Sequence, residues 1–391
     1  MEEHPQARFI VDTLSREGFL AYYAGGFVRD YLLQHPSDDI DIATNAPPET
    51  IQAIFPHTVP IGIAFGIILV IIEDRQYEVA TFRQDLEYED GRRPNKVEFS
   101  SPQEDAKRRD FTINGMFYDP IEQKVIDFVG GKEDLEKKLI RAIGDPHARI
   151  KEDRLRMMRA IRLSCRFQFA IDPLTEAAIT AHAKELIPAV AIERIWQEFT
   201  KAHAFNTLGE MIIHLHEFGL LSAIFPSLES TSLDVVKRRV APIKDYPKDA
   251  PIIASFLPLF PHHTLEDTIA LCKKLKLPNS ALAFVTFFAK FKTLNEASSL
   301  YDWAHAYASP FAKPSIEILQ EKGHEERQEL LKNSIKRIQE KNPVVKSSDL
   351  ASIGIKPGIE MGRLLKETEK IAINEQIYDP KIILDKIQNF S

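Results

Sequence analysis

The sequence predicts an α/β head followed by an all-α remainder, and three observations support this fold class. Up to about residue 130, short segments with strand character alternate with helical segments. From about Asp145 onward, strand signals nearly vanish and apolar residues recur at a three-to-four spacing. The 391 residues, 44% hydrophobic and 27% charged, form an ordinary globular composition with room for roughly two to three domains. We expect the main boundary near IGDPH, residues 143–147.

The elements of the head follow from local pattern. FLAYYAGG at 19–26 predicts a short strand that ends in a glycine turn, and FVRDYLLQ at 27–34 predicts a helix directly after it. Period-two alternation or β-branched runs predict three further strands: DIDIAT at 39–44, FGIILVII at 65–72 and YEVATF at 77–82. PPETIQAIF, between the first two of these strands, is typical of a helix with proline in its first turn.

The remainder contains a series of amphipathic segments separated by prolines and glycines. Four of them predict helices: HARIKEDRLRMMRAIRLSCRF at 147–167, PLTEAAITAHAKEL at 173–186, AIERIWQEFTKAH at 191–203 and TLGEMIIHLHEFGLL at 207–221. The region from 225 to 265 is rich in proline, and its pattern predicts no clear element.

The cysteines and the apolar runs limit the class of protein. Cys165 and Cys272 lie far apart and match neither a metal-binding spacing nor a disulfide framework, which fits a reducing cytoplasm. The opening MEEHPQARFI lacks the features of a secretory signal. The longest apolar runs are much shorter than the roughly 20 residues of a membrane span. We therefore expect a cytoplasmic protein with no membrane partner.

The charge distribution leaves two interpretations open. The net charge of −7 argues against nucleic acid as a partner. One short region is nevertheless basic and contains Arg149, Lys151, Arg154, Arg156, Arg159, Arg162 and Arg166, opposed by Glu152 and Asp153. This stripe is either a site for a polyanion or the solvated face of a helix.

Asp39 and Asp41 are the first candidates for chemistry. Alternate residues of a strand share a face, so both carboxylates are expected to project together while Ile40 and Ile42 face the core. Adjacent carboxylates repel each other unless a cation lies between them, and oxygen ligands alone favour a hard ion such as Mg²⁺. The D-x-D pattern also occurs in glycosyltransferases and in plain surface strands, and these alternatives stay open here.

The glycine turn before this pair predicts an anion site. Gly25 and Gly26 let the backbone close on a phosphate, and Arg29, one turn into the helix, can add a charge-assisted hydrogen bond. A phosphate cradle ahead of a metal-binding pair is what nucleotidyl transfer requires. Glu78, on a neighbouring predicted strand, is either a third carboxylate of the site or an ordinary edge-strand glutamate.

Five motifs then occur in an order that resembles a known family. After GGFVRD…DIDIAT come RRDFTINGMFYDP at 108–120, DFVGGKEDL at 127–135, EDRLRMMRAIRL at 152–163 and AIERIWQEFTKAH at 191–203. The series resembles the class II tRNA nucleotidyltransferases, that is, the CCA-adding enzymes with their A-adding and bacterial poly(A) polymerase relatives. The resemblance covers roughly the first 225 residues, and beyond them the helical tail matches only in character. It implies a nucleotidyltransferase-type mixed sheet in a catalytic head at 1–140 and a helical neck at 141–205, and we expect an RNA-binding helical body and tail at 206–391.

The resemblance also implies roles for individual residues. Asp39 and Asp41 would hold the metal ions, which we expect to be two Mg²⁺. Independently of the resemblance, Glu78 is the candidate for an added catalytic carboxylate. A nucleotide-binding set would comprise Gly25, Gly26, Arg29, Arg109, Asp110, Asn114, Asp153, Arg156, Arg159 and Arg162. Within it, Arg109 would bind the nucleotide, Asp110 and Asn114 would face the ribose, and Asp153 with Arg156 would read the base.

The chemistry of Asp153 and Arg156 agrees with that implied role. Asp153, Arg156, Arg159 and Arg162 step by three along the predicted helix, so their side chains form one polar row. An aspartate accepts and an arginine donates hydrogen bonds, which suits the edges of cytosine and adenine and rejects uracil and guanine. The alternative is a surface ion pair that contributes about 0.5 kcal/mol.

The expected reaction is attack of an RNA 3′-hydroxyl on the α-phosphate of CTP or ATP, with pyrophosphate as the leaving group. RQDLEYEDGRRPNKVEF at 83–99 aligns with the family's flexible loop and has full length, which favours addition of the terminal A. We expect tRNA, CTP and ATP as partners and no DNA. A poly(A) polymerase, a catalytically silent RNA-binding relative and a glycosyltransferase remain alternatives, and the sequence leaves full CCA addition and A-only addition open.

Overall fold

A computed structural model describes residues 4–35, 37–88 and 94–388. The chain divides into two compact units, Met1–Arg238 and Arg239–Ser391. The division into head, neck and body at 140 and 205 stays a prediction.

The first unit contains the sheet. Its strands are β1 Ala21–Ala24, β2 Asp41–Thr44, β3 Thr58–Gly62, β4 Ile67–Ile72, β5 Arg75–Thr81, β6 Arg83–Tyr88, β7 Pro94–Phe99, β8 Phe117–Asp119, β9 Lys124–Ile126, β10 Leu139–Ile140 and β11 Ala170–Ile171. Among the described residues, seven strands form one sheet in the order β3-β4-β5-β2-β1-β8-β9. In this sheet β2 and β5 are parallel and the other neighbours are antiparallel, so the expected mixed sheet is confirmed.

The register of the central strands brings two distant turns together. Ala24, the last residue of β1, lies opposite Asp41, the first residue of β2. The glycine turn that follows β1 is therefore held beside the acidic start of β2. Phe82 and Phe117 are fully buried under this part of the sheet, and their rings pack edge-to-face at 5.7 Å. Burial of such large apolar side chains anchors both strand ends.

The helices of the chain, in order, are α1 Pro5–Arg16, α2 Gly26–Leu32, α3 Pro48–Ile54, α4 Pro102–Lys107, α5 Gly131–Glu136, α6 Pro146–Glu152, α7 Leu155–Phe167, α8 Pro173–His182, α9 Leu186–Ala189, α10 Ile192–Ala204, α11 Leu208–Glu217, α12 Leu220–Ile224, α13 Leu233–Val240, α14 Leu265–Lys274, α15 Asn279–Phe291, α16 Leu300–Tyr307, α17 Ala312–Leu319, α18 His324–Gln339, α19 Ser347–Ser352, α20 Ile359–Asn374 and α21 Pro380–Gln388. The expected α/β head and helical remainder are confirmed. The short strand β11 is an exception to the all-helical expectation, and it pairs with β10 in parallel.

The segment at 83–99 differs from its prediction. The sequence predicts a charged, turn-rich loop, whereas β6 and β7 form an antiparallel hairpin whose pairing extends to Tyr88 and Pro94. Charged and apolar residues that alternate along the chain are compatible with strands in an antiparallel pair. The turn residues between them favoured the prediction of a loop instead. Residues 89–93, the centre of the expected loop, lie outside the described residues.

The second unit is helical and contains two apolar clusters. One is built around Phe291, Trp303 and Leu331, and the other around Leu350, Leu364 and Ile383.

The proline-rich region from 225 to 265 contains the 3-10 segments Pro226–Leu228, Ala241–Asp245 and Ile252–Leu259 together with α13. Within the described ranges, no helix combines the length and the apolar character that crossing a membrane would require.

Candidate active site

The turn at Gly25 brings the backbone against two charged side chains. Gly25 has φ +67°, which only glycine adopts without strain. A Cβ atom built on Gly25 would lie 3.1 Å from Nη1 of Arg109 and 3.6 Å from Oδ2 of Asp41. The absence of a side chain thus lets the turn, an arginine and a carboxylate meet at one point.

We expect Gly25→Ala to lower the free energy of unfolding by about 1 to 2 kcal/mol, because alanine at positive φ is strained. The added methyl group would also press on Nη1 of Arg109 at 3.1 Å, beside Asp41, so the reaction rate should fall as well. Chemical denaturation and the initial rate of the reaction measure the two effects. Gly130→Ala is the matched control, since Gly130 has φ +80° but nothing lies within 4 Å of the place that an added Cβ would occupy. Equal activity losses in both variants would contradict the proposed contact.

Asp39 and Asp41 face the same cavity, as the sequence predicts. The cavity has a volume of about 730 Å³, and both residues line it. Ile40 and Ile42 are buried in the core at 4% and 1% exposure, so the side chains alternate. The prediction that both aspartates lie on one strand is wrong, because β2 begins at Asp41 and Asp39 precedes it. Extended backbone before the strand is enough to keep the alternation.

The electrostatics of Asp41 indicate a site suited to a cation. The Asp41 side chain is exposed to the cavity, and partial desolvation by the surrounding protein raises its pKa to about 6. The neighbouring carboxylates of Asp39 and Glu78 add to this effect, while Arg109 opposes it. Like charges held together in this way are relieved by a divalent cation. The donor set is oxygen only and therefore fits a hard ion.

Glu78 lies beside this pair but not in the cavity lining. The parallel pairing of Ile42 with Val79 places Glu78 next to Asp41 on the neighbouring strand. Among the described residues, the group of three potential ligands whose atoms lie within 4.8 Å of one another is Cys165, Glu210 and His214, and not these carboxylates. A role for Glu78 as a catalytic carboxylate stays a prediction, supported by its effect on the pKa of Asp41.

A buried hydrogen-bonded chain crosses the floor of the cavity. Nη1 of Arg29 donates to Oδ1 of Asn114 at 2.5 Å, and Nδ2 of Asn114 donates to Oδ1 of Asp110 at 3.0 Å. Nε of Arg159 completes the chain by donating to Oδ2 of Asp110 at 2.7 Å. The guanidinium of Arg29 also stacks on the ring of Phe167 at 4.6 Å. Four predicted site residues are thus fixed to one another.

Asp110 and Arg159, the ion pair at the end of this series of hydrogen bonds, have strongly shifted pKa values. Burial raises the pKa of Asp110, but the Arg159 charge and the hydrogen bonds from Asn114 and Arg159 outweigh burial and hold that pKa well below its usual range. The Asp110 carboxylate in turn raises the pKa of Arg159. Asp110 is therefore a permanent anion that orients its two donors.

The structure corrects the placement of Asp153. The sequence predicts one helix through 147–167, but α6 ends at Glu152 and α7 begins at Leu155, with Asp153 extended between them at φ −149° and ψ 104°. The Asp153 carboxylate accepts two hydrogen bonds from Arg194, at 3.1 and 2.6 Å, and one from the backbone N–H of Leu155. A local hydrogen bond from a backbone N–H to the aspartate two residues earlier competes with helical pairing, which accounts for the break.

Arg156 lies in the first turn of α7 and is oriented by other groups than Asp153. Its Nη1 donates to Oε2 of Glu152 at 2.6 Å and to the carbonyl of Arg149 at 2.8 Å, and its Nη2 reaches the carbonyl of Arg108 at 3.3 Å. Asp153 and Arg156 both line the cavity, and the hydrogen bond between them joins the backbone N–H of Arg156 to the carbonyl of Asp153 and not their side chains. Each carries one type of hydrogen-bonding group and is oriented by its own partner.

The structure shows site residues that the sequence analysis missed. The described lining of the cavity also includes Arg83, Arg108, Leu155, Leu163, Arg166, Arg194, Lys201 and Phe205. On α10, Arg194 and Lys201 share a face with buried Glu198, which accepts from Nε of Arg162 at 2.5 Å. The polar i, i+4, i+7 spacing of these three residues is the signal that could have identified them.

Of the predicted site residues, all but Glu78 line this one cavity: Gly25, Gly26, Arg29, Asp39, Asp41, Arg109, Asp110, Asn114, Asp153, Arg156, Arg159 and Arg162. Within the described lining, ten basic side chains face four carboxylates. The excess of positive charge attracts a polyanion, although the whole chain has a net charge of −7. The paired aspartates at one end can attract a divalent cation.

Comparisons with known proteins identify similar chains. The family described as "Poly A polymerase head domain" matches residues 21–141, and the one described as "Probable RNA and SrmB- binding site of polymerase A" matches residues 168–231. A CCA-adding enzyme of Bacillus licheniformis is 36% identical over 387 residues, which cover 96% of each chain. A CCA-adding enzyme of Anoxybacillus flavithermus is 44% identical over 237 residues, 60% of this chain and 59% of that protein. The crystal structure of the Bacillus stearothermophilus CCA-adding enzyme in complex with CTP superposes with a TM-score of 0.82 at 26% identity, covering 100% of this chain and 99% of that one.

Proposed function

The chain belongs to the family of CCA-adding enzymes, and we propose that it adds CMP and AMP from CTP and ATP to the 3′ end of tRNA without a nucleic acid template. The observation that carries this proposal is the cavity in which Asp39 and Asp41 face a wall of arginines. The proposal extends to a cytoplasmic location, where tRNA is available.

In the proposed reaction the 3′-oxygen of the RNA forms a bond to the α-phosphorus of the nucleotide. The bond from that phosphorus to the bridging oxygen breaks, pyrophosphate leaves, and the hydroxyl proton passes to solvent. Asp39 and Asp41 would hold the divalent metal ions, and their all-oxygen donor set favours Mg²⁺. When bound, the metal supplies positive charge that offsets the charge developing on the attacking and leaving oxygens.

The basic residues of the cavity would bind the triphosphate. Arg109 lies against both Gly25 and Asp41, and its position is fixed by two hydrogen bonds to Oδ2 of Asp105, at 3.1 and 3.0 Å. Arg29 and Arg159 are fixed by the chain through Asn114 and Asp110. Donors held in place before the substrate arrives reorganise little during the reaction, which is the main source of electrostatic catalysis.

The base would be read by Asp153 and Arg156. The carboxylate offers acceptors and the guanidinium offers donors, and this combination complements the Watson–Crick edges of cytosine and adenine. Arg194 holds Asp153 and Glu152 holds Arg156, so both reading groups are oriented by charged partners. A protein surface can thereby select the nucleotide in place of a template strand.

We expect Arg156→Ala to reduce the preference for CTP and ATP over UTP and GTP by about 10- to 100-fold, because a bidentate contact to a base discriminates by roughly 1 to 3 kcal/mol. The ratio of kcat/KM values for the four nucleotides measures this effect. Arg154→Ala is the matched control, since Arg154 precedes α7, pairs with Glu185 and does not line the cavity. An unchanged preference in Arg156→Ala would exclude this residue from base reading.

The function itself is tested with tRNA transcripts that end at the discriminator base, at C, or at CC, each incubated with labelled CTP and ATP. The proposal predicts three, two and one added residues respectively, with pyrophosphate released in step. Incorporation of AMP into the CC-ending tRNA alone would limit the enzyme to A addition. A long ladder on a generic RNA would instead identify a poly(A) polymerase, and absence of pyrophosphate release would identify a silent RNA-binding relative.

A further inference from the structure

Cys165, Glu210 and His214 form a cluster outside the cavity that the proposed reaction does not use. Cys165 is on α7 and is buried at 1% exposure. Glu210 and His214 are four residues apart on α11, so they share one face of that helix, and α7 packs against α11. One ligand atom from each of the three residues lies within 4.8 Å of the other two.

We propose that these three side chains bind a zinc ion that links α7 to α11. A thiolate, an imidazole and a carboxylate are the donor types that zinc prefers, and this combination disfavours Mg²⁺ and Ca²⁺. In a tetrahedral zinc site such donor atoms lie roughly 3.3 to 3.6 Å apart. The ligand atoms, which lie within 4.8 Å of one another, would have to approach by roughly 1 Å to reach that spacing.

The surroundings of the cluster have the features of a prepared metal site. Nδ1 of His214 lies 2.9 Å from Oε2 of Glu217, which orients the ring and leaves Nε2 for a metal. Nε2 of Gln168 donates both to the carbonyl of Cys165 at 2.8 Å and to Oε2 of Glu210 at 2.9 Å. Gln168 thus connects the two helices at the cluster before any ion is present.

A route for the ion and room for a fourth ligand lie next to the cluster. A cavity of about 280 Å³ is lined by Gln168, Glu210 and His214 among others. A water molecule from this cavity can complete four-coordination. Binding displaces the thiol proton of Cys165 to solvent, so that the thiolate, the carboxylate and Zn²⁺ form a neutral site.

A zinc ion at this cluster would affect α7, the helix that carries several arginines of the large cavity. Cys165 lies between Arg162 and Arg166, both of which line the large cavity from α7. A zinc ion bound at Cys165 fixes the C-terminal half of this helix to α11. The site is structural in this role, and it is independent of nucleotide addition.

The test is a titration of the full-length, metal-free protein with Co²⁺ in the presence of excess Mg²⁺, which occupies oxygen-only sites. We expect one Co²⁺ per chain with a thiolate-to-cobalt charge-transfer band, and a higher melting temperature with one equivalent of Zn²⁺. Cys165→Ala should abolish the band, whereas Cys272→Ala, which removes the other buried cysteine, should retain it. Glu210→Gln and His214→Gln should weaken Zn²⁺ binding by at least about 100-fold.

The absence of a charge-transfer band in the wild-type protein would overturn the proposal. A band that persists in Cys165→Ala would also overturn it. If Cys165→Ala does not fold, Glu210→Gln and His214→Gln provide the test, because both residues are only partly buried and their replacement should leave the fold intact. Unchanged Zn²⁺ affinity in both variants would overturn the proposal.

Discussion

Asp41→Ala is expected to abolish nucleotide addition, with a rate at least about 1,000-fold below that of the wild-type enzyme. Loss of a metal ligand removes several kcal/mol of charge stabilisation from the transition state, and each 1.4 kcal/mol or so corresponds to a factor of ten. The fold should persist, because Asp41 faces the cavity while Ile40 and Ile42 hold the segment in the core. Single-turnover addition to a tRNA ending in CC measures the loss, and a gel-shift assay measures the retained RNA binding.

The direction in which Asp41→Ala changes the melting temperature provides a second test. The folded-state pKa of Asp41 is raised, so ionisation at neutral pH is less favourable in the metal-free folded protein than in the unfolded chain. Removal of the carboxylate should therefore leave the melting temperature of the metal-free protein unchanged or slightly higher. Asp38→Ala is the control, since Asp38 is an exposed neighbour outside the cavity lining. An active Asp41→Ala enzyme would refute the metal assignment.

Asp110→Asn is expected to lower both stability and activity. The carboxylate pairs with Arg159 at 2.6 Å and is 10% exposed, so its neutralisation leaves a guanidinium without its counter-charge. A fully buried pair loses roughly 3 to 5 kcal/mol when one partner is removed, and the partial exposure of Arg159 reduces this to about 2 to 3 kcal/mol. The unfolding transition that includes the sheet should shift by roughly 5 to 10 °C, measured by calorimetry.

The pH dependence provides a second readout for Asp110. The pKa of this carboxyl is depressed in the folded state, so its contribution to stability is present above the usual carboxyl range and is lost as the pH falls through the lower folded-state value. Asp110→Asn should therefore be less sensitive to acid than the wild-type protein. Glu133→Gln, which breaks an exposed pair with Lys137, should change the melting temperature little. Equal shifts of the melting temperature in the two variants would show that the Asp110–Arg159 pair stabilises the fold no more than an exposed ion pair does.

The prediction of the fold and of the site rested on local patterns, which held at the acidic pair and failed at Asp153. Strand alternation at 39–44 correctly assigned Ile40 and Ile42 to the core and both aspartates to the cavity. The same kind of pattern failed at Asp153, because a helical period continues through 147–167 although α6 ends at Glu152 and Asp153 accepts a local hydrogen bond from the backbone N–H of Leu155. A single local bond between a side chain and the backbone does not change the apolar periodicity from which helices are predicted.

Partner choice between side chains could not be predicted. The spacing suggested that Asp153 and Arg156 act side by side, but Asp153 pairs with Arg194, 41 residues later, and Arg156 pairs with Glu152. In the same way, the sequence showed no metal spacing for Cys165, and only the packing of α7 on α11 brings it to Glu210 and His214. Contacts between distant segments depend on how helices pack, and one sequence contains no direct signal for this.

The sequence by itself determined the change from an α/β head to a helical remainder, the acidic pair, the glycine turn and the supply of arginines, since each depends on backbone geometry or side-chain chemistry within a few residues. The tertiary structure alone decided which of these groups meet. The register of β1 on β2 places Gly25 beside Asp41, and the buried chain from Arg29 to Arg159 joins residues that are 130 positions apart. Charged groups separated so far along the chain come together only where burial of the surrounding apolar side chains compensates for the loss of their hydration.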